Sequence, residues 1–441
     1  MKDLIRRRAL QEPGASLGAS ARPGDAVEPL FLATYAPRPC GIATFTQDLA
    51  DSVDRAAGAA VSRVIAIDDG GAGHEYNGRV IHVLDNRDPH AYARAAEFAN
   101  ASDCDVVSIQ HEYGLYPGEW GEALLAFVDA CEKPMTATLH TLAYDPPPKA
   151  RHVLGRLCGR CERVVVMART GIDILGSEYE IPSVKVAYIP HGVHRLRSGC
   201  ARGVWDRLIG LGRPLILTCG LLSESKGVEY MIEGLPAVLR RHPRATYLIA
   251  GRTHPNVKAR QGEQYREALK RRATALGIQG HVRFDDRFLP LNDLLAHLGS
   301  ADVVVTPYIG RDQITSGTLA YAVAAGAAVV ATPYLYAREL ALTGAVLLAN
   351  FRSPESLGRQ VLRVLDAPGV RTQLQQRARQ IGKTMAWPTV GRQYYSLLEA
   401  LSRPVVETPH LHAVSGRREK VTSRSSPSAR DYATPRSAAG G

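Results

Sequence analysis

Short apolar runs rich in Val, Ile, Leu and Ala alternate along this chain with longer stretches in which apolar residues return at helical spacing. The runs fall at residues 30–34, 61–67, 80–84, 106–110, 135–139, 164–167 and 184–189. Apolar throughout, each reads as a strand buried on both faces, and such strands separated by helices form a parallel α/β sheet. A second series follows at 214–219, 245–250, 282–284, 301–306, 327–332 and 345–348, with helical segments such as 227–241 and 265–276 between them. The count predicts two doubly wound halves with a boundary near residues 192–213. Ligands of such sheets collect beyond the carboxyl ends of the strands, so function is sought in those loops. A last helical segment, 389–401 after Trp387-Pro388, places Val390, Tyr394, Leu397, Leu398 and Leu401 on one buried face.

The most informative loop starts at Gln313, continues through Ile314, Thr315, Ser316 and Gly317, and runs into an alanine-rich helix that Gly326 ends. A polar turn of small residues at a helix N-terminus offers free backbone N–H groups and the positive end of the helix dipole to an anion. Equivalent positions elsewhere carry Gly41 at the first strand-to-helix turn, where backbone can approach a ligand closely, and Lys226 just before Gly227. Arg252 and His254 follow another strand, as do Gln110, His111, Glu112 and Tyr113, then His140, and His191 with Gly192. Polar groups at strand ends need partners, which favours their facing a cleft; each also has a plain structural reading as a residue that ties its loop to a neighbour.

Composition narrows the classes. A length of 441 residues suggests two or three domains, and 45% hydrophobic residues allow a core of ordinary size. No apolar stretch reaches membrane-span length, and the charged start at residues 1–8 is not followed by the apolar segment of a signal peptide, so a cytoplasmic address is expected. Seven cysteines, an odd number, make no disulfide framework. Cys158 and Cys161 have metal-site spacing without a second pair, and read as structural thiols. A net charge of +11 fits phosphate-bearing substrates or an anionic membrane face better than nucleic acid, because the basic residues are spread without aromatic interleaving. The adjacent pairs Asp68-Asp69 and Asp285-Asp286 read as caps or solvated turns, and no metal site is expected. Residues 1–28 and 403–441, rich in Ala, Gly, Ser, Pro and Arg, read as disordered ends.

The order of these motifs resembles the GT4 family of retaining glycosyltransferases, which have the GT-B fold of two Rossmann-like domains facing a central cleft. The resemblance runs over roughly residues 30–402. It implies an acceptor domain at 29–195, a nucleotide-sugar donor domain at 196–385 and a C-terminal helix at 386–402 that crosses back to the first domain. It further implies a metal-independent hexosyl transfer from a UDP- or GDP-hexose, without cofactor, to a saccharide, lipid-linked or other hydroxyl acceptor, with weak peripheral contact at the inner face of a membrane as a secondary expectation. His140, Lys226 and Gln313 occupy catalytic positions. The donor would be bound by Gly41, Gly220, Lys226, Arg252, His254, Gln313, Thr315, Ser316, Gly317 and Tyr321, and the acceptor by His111, Glu112 and Tyr113. The family places two glutamates eight positions apart where this chain has Gln313 and Tyr321, and an arginine where it has Leu221. Catalysis by an enzymic carboxylate at those places is therefore not expected; transfer would depend on same-face attack, the leaving diphosphate taking the acceptor's proton. The missing ribose-binding glutamate leaves room for two rivals, a phosphate-dependent GT-B phosphorylase and a catalytically silent GT-B protein that binds a sugar nucleotide.

Overall fold

The chain builds two parallel sheets in succession. A computed structural model describes residues 26–38, 40–70, 73–194, 208 and 210–403. The expected disordered ends fall almost wholly outside those residues, as does most of the expected boundary between the halves. In the first half the strands are β1 (Pro29–Ala33), β2 (Arg63–Asp68), β3 (Val80–Asp85), β4 (Val106–His111), β5 (Met135–Leu139), β6 (Arg163–Val166) and β7 (Val186–Tyr188). Helices α1 (Gly41–Ala57), α2 (Ala91–Ala101), α3 (Leu124–Ala130), α4 (Pro148–Arg160) and α5 (Thr170–Tyr179) alternate with them. All pairings are parallel, in the order β3-β2-β1-β4-β5-β6-β7. The order reverses between β1 and β4, so the loops after those two strands open a crevice at the carboxyl edge.

The second half repeats the plan with β8 (Leu215–Cys219), β9 (Thr246–Ala250), β10 (Val282–Asp285), β11 (Val303–Thr306), β12 (Val329–Ala331) and β13 (Val346–Leu348). Its helices are α6 (Val228–Leu239), α7 (Pro255–Gln261), α8 (Gln264–Ala275), α9 (Leu291–Ser300), α10 (Gly317–Ala324), α11 (Leu335–Leu342), α12 (Pro354–Asp366) and α13 (Pro368–Thr384). The strand order β10-β9-β8-β11-β12-β13 again reverses beside the first strand, here between β8 and β11. Every residue of β8, β9, β11 and β12 is buried, as their uninterrupted apolar character requires. The expected strand at 184–189 is shorter than its apolar pattern, because residues 183–185 form a turn of 3-10 helix before β7.

A final helix, α14 (Trp387–Ser402), belongs to the second half by sequence and packs on the first by contact. Its buried face of Trp387, Val390, Tyr394 and Leu398 joins Phe31, Phe45, Leu49 and Val53 in one apolar cluster. Tyr394 Oη lies 3.1 Å from Thr138 Oγ1 on β5. At the crossover Val193 donates to the Met385 carbonyl at 2.8 Å, and Trp387 donates back to the Val193 carbonyl at 3.1 Å.

Gly391 lets α14 lie directly against α1, because a Cβ there would collide with the Ser52 carbonyl. Overpacking a close backbone contact costs about 1–3 kcal/mol. Gly391→Val is therefore expected to lower the urea midpoint of unfolding clearly, and an unchanged midpoint would show that α14 does not hold this position.

Candidate functional site

Helix α10 begins where the loop after β11 turns back. Ser316, in extended conformation, caps it, its Oγ accepting from the Leu319 amide at 3.2 Å. The loop before it is fixed at several points. Gln313 Nε2 donates to the Thr315 carbonyl at 3.0 Å, the Gln313 carbonyl accepts from the Tyr336 amide at 3.1 Å, and the Thr315 hydroxyl is buried without a partner. Ile314 is fully buried, and it is buried in the apolar cluster of the first half. The loop that starts α10 is thereby anchored in the opposite domain.

The first half brings two imidazoles toward this place. His140 follows β5; its Nε2 lies 3.0 Å from Gln110 Oε1, and its ring meets Phe45 edge-on with centroids 4.8 Å apart. His191 bonds the Gly192 carbonyl through Nδ1 at 2.7 Å and lies edge-on to Phe45 at 5.2 Å and Tyr321 at 6.1 Å. A Cβ on Gly317 would stand 3.5 Å from His191 Nε2, so the first turn of α10 passes close to that ring. Burial drives His140 down to about 3, with His191 and His111 adding to the shift. Burial likewise holds His191 at about 4. Both are neutral at physiological pH and offer polarity without charge.

The second half supplies the cation. Gly220, at φ 115°, turns the chain after β8, and a Cβ there would sit 3.0 Å from Thr318 Oγ1 in the first turn of α10. Lys226 Nζ lies 3.9 Å above the Tyr308 ring, and among the described residues no carboxylate pairs with it. Tyr308 stacks on Tyr334 at 5.1 Å, and burial raises the Tyr334 phenol against the hydroxyls of Thr306 and Ser316 beside it. These rings form a continuous strip from Lys226 to the cap of α10. His254, the N-cap of α7, is held below its usual range by burial, by Lys226 and by Arg260. Arg252 places its guanidinium 5.0 Å from the centre of the Phe288 ring, with Nε buried and unpartnered. The 220–222 and 251–254 segments run side by side, tied by Leu222 to Arg252 and His254 to Leu222 backbone bonds of 2.9 Å.

Gly41 opens the 17-residue helix α1 with no side-chain cap before it and nothing within 4 Å of where a Cβ would be. The first-turn amides of α1 thus have no side-chain cap, and the space beside Gly41 is open.

The residues expected at the acceptor are placed differently. His111 is fully enclosed, edge-on to Tyr113 and stacked on Tyr116, with neither ring nitrogen partnered. Tyr113 is buried and bonds Tyr179 through its hydroxyl at 3.0 Å. Aromatic packing at the end of β4 claims both, so neither presents a polar atom to a ligand. Glu112 alone of the three is partly exposed; it accepts from Thr141 at 2.6 Å, and burial raises its carboxyl. Ser316 Oγ spends one lone pair on the cap and lies beside the Tyr334 hydroxyl, so part of its hydrogen-bonding capacity is already used within the protein. Cys158 and Cys161 are buried free thiols pushed upward by burial, as structural thiols are. Asp68 and Asp69 bond Tyr76 and Arg38, and Asp285 pairs with Arg287, all at strand-end turns.

Several contributors were not named by sequence reasoning. Phe45 meets both imidazoles edge-on, and Trp387 backs it with ring centroids 5.3 Å apart. Glu339 on α11 accepts from the Arg169 and Thr170 amides at 3.0 Å and the Thr170 hydroxyl at 3.1 Å, capping α5 of the first half. No local pattern marks such a long-range cap.

Burial holds His111 at about 4 while the unfolded chain titrates near 6.5, so its contribution to stability is complete above that value and is lost as pH falls toward 4. One such group gives a slope of about 1.4 kcal/mol per pH unit in that window. His111→Leu is expected to flatten the decline of folding free energy between pH 6.5 and 4 by about that amount; an unaltered slope would contradict the assignment.

Residues 213–367 match the protein family described as Glycosyl transferases group 1. A segment of 172 residues is 31% identical to the GDP-mannose-dependent alpha-(1-6)-phosphatidylinositol monomannoside mannosyltransferase of Mycolicibacterium smegmatis, and 28% identical to the protein of that name from Mycobacterium tuberculosis. Each match takes in 38% of this chain and 42% of the relative, so the chain spans well under half the length of the curated relatives it matches. Among solved structures, Anabaena Alr3699/HepE in complex with UDP superposes with a TM-score of 0.67 at 16% identity, over 85% of this chain and 100% of that one. Sucrose-phosphate synthase from Thermosynechococcus elongatus gives 0.66 at 16% identity, over 85% and 99%. A glycosyltransferase from Rickettsia africae gives 0.65 at 16%, over 85% and 98%. The chain thus has the GT-B fold, two parallel-sheet α/β halves, and its second half carries the Glycosyl transferases group 1 match.

Proposed function

We propose that this protein is a retaining, metal-independent glycosyltransferase of GT4 type that moves a hexose from a UDP- or GDP-sugar to a hydroxyl of a saccharide or lipid-linked acceptor. The observation that carries the reading is the meeting of three things at the carboxyl edges of the two sheets: the N-terminus of α10, the unpaired cation Lys226 and the neutral pair His140 and His191. The ligands named for the relatives and neighbours, the nucleotide sugar GDP-mannose for the mannosyltransferases and the nucleoside diphosphate UDP for the Anabaena complex, support the donor class.

The chemistry asks chiefly for electrostatic stabilisation. As the bond between the anomeric carbon and the phosphate oxygen breaks, its electron pair passes to the diphosphate, and negative charge grows there. The Gly317 and Thr318 amides and Lys226 are fixed groups that would stabilise that charge without reorganising. The acceptor oxygen bonds the anomeric carbon on the face the diphosphate leaves, and its proton passes to a diphosphate oxygen. Gln313 and Tyr321 would then bind donor hydroxyls as neutral groups, Arg252 would add positive potential at the far end of the diphosphate, and neutral His254 would offer it a hydrogen bond. Neutral His140 would bind a sugar hydroxyl without repelling the positive character that develops at the anomeric carbon.

Lys226 is partly exposed, so its removal should not unfold the chain. Loss of one fixed donor to a developing anion costs about 2.7–4 kcal/mol of barrier, or about 100- to 1000-fold in rate. Lys226→Ala is expected to lose kcat/KM by that factor with GDP-mannose or UDP-glucose as donor, with its urea midpoint unchanged. Wild-type rates in the variant would refute the diphosphate role.

A further inference from the structure

Gln110 is the last but one residue of β4, fully buried, and its side chain reaches across to the end of the neighbouring strand. There its Oε1 lies 3.0 Å from His140 Nε2. The backbone fixes both partners: Gln110 and Thr138 are in register on β4 and β5, His140 donates its amide to the His111 carbonyl at 2.9 Å, and the Gln110 carbonyl accepts from Tyr116 at 2.8 Å. Phe45 closes the edge of the imidazole ring. With Gln110 Oε1 turned to the ring and Gln110 Nε2 buried without a partner, Oε1 can only accept, so in this arrangement His140 Nε2 carries the proton and Nδ1 keeps its lone pair. Among the described residues Nδ1 has no protein partner, and His140 retains 8% of its surface exposed.

We infer that Gln110 is a positioning residue: it fixes the ring orientation and the Nε2–H tautomer of His140, leaving Nδ1 to accept a hydrogen bond from a substrate hydroxyl. The inference rests on the proposed glycosyl transfer for its consequence, though not for its geometry. A carbonyl that orients the second nitrogen of a working imidazole sets which hydroxyl the other nitrogen can bind, as with histidines held by second groups elsewhere. It also implies that His140 serves as an acceptor toward the sugar and not as a proton donor.

The surroundings make the tautomer readable. The titratable groups facing His140 are His111 beside Gln110 on β4, His191 from the segment before the crossover and Tyr394 from α14. Both histidines are held at about 4 by burial, and burial raises the Tyr394 phenol. Asp48 of α1 acts on His191 and pairs with His194 at 2.8 Å, without acting on His140. Neither histidine nor Tyr394 changes charge between pH 5 and 8; Glu112, bonded to Thr141 beside His140 with its carboxyl raised by burial, is the same in wild type and variant, so a limb seen only in the variant belongs to His140.

Nitrogen-15 NMR of the full chain with labelled histidine, assigned with His140→Ala, should show the His140 Nε2–H tautomer in the wild type. Gln110→Leu should give a mixture of tautomers, with kcat reduced about tenfold or more. Gln110→Glu keeps an acceptor at Nε2 and should restore the tautomer at pH 8. Its carboxylate also favours the imidazolium, so its rate should fall as pH drops below 7, where Nδ1 becomes protonated and can no longer accept. The wild type should have no such limb above pH 5. An Nδ1–H tautomer in the wild type, or the wild-type tautomer retained in Gln110→Leu, overturns the inference. Full transfer activity in His140→Ala, with the tautomer results as expected, would instead overturn the role of His140 in the proposed reaction.

Discussion

The burial of Ile314 in the apolar cluster of the first half is the constraint on which the site depends. It sits between Gln313 and Ser316 in a loop that otherwise belongs to the second sheet, so the start of α10 cannot move without withdrawing an apolar side chain from a packed core. Two further ties reinforce it: the backbone exchange of Val193 with Met385 and Trp387, and the Glu339 carboxylate on the N-terminus of α5. Burying a side chain of this size contributes about 1.5–3 kcal/mol. That is comparable to what a ligand bound at a hundred times its dissociation constant contributes, about 2.7 kcal/mol.

The electrostatic character of the site follows from what is absent as much as from what is placed there. Neither Gln313 nor Tyr321 brings a carboxylate to the start of α10, so nothing at those two positions offsets Lys226 and Arg252, while His254 is held toward its neutral form. Across from them, burial keeps His140 and His191 neutral. The result is a positive wall facing a polar, uncharged wall. A diphosphate would lie against the first and a sugar ring against the second, which is the arrangement that favours charge separation between anomeric carbon and leaving group.

Much of this was legible in the sequence because parallel strands buried on both faces leave an unmistakable apolar signature, and because their carboxyl ends collect the polar residues. The loop at Gln313, Gly41, Lys226 and His140 were singled out as candidates on that ground, and Gly220 on the resemblance. The fate of polar residues at a strand end is harder to read. His111 and Glu112 are adjacent, yet one is sealed among aromatic rings and the other is partly exposed, since successive residues of a strand point to opposite faces. Ser316 was read as a ligand group, and its Oγ also caps α10. Ile314, Gln110 and Glu339 act through contacts that close only when two strands or two halves are placed together, and local spacing carries no trace of them.

The most direct measurement is a crystal structure of the full chain with GDP or UDP bound. The account predicts the diphosphate within hydrogen-bond distance of the Gly317 and Thr318 amides and of Lys226 Nζ, with its β-phosphate turned toward His140. A nucleotide bound elsewhere, or bound here with Lys226 still seated on the Tyr308 ring and away from the phosphates, would contradict it.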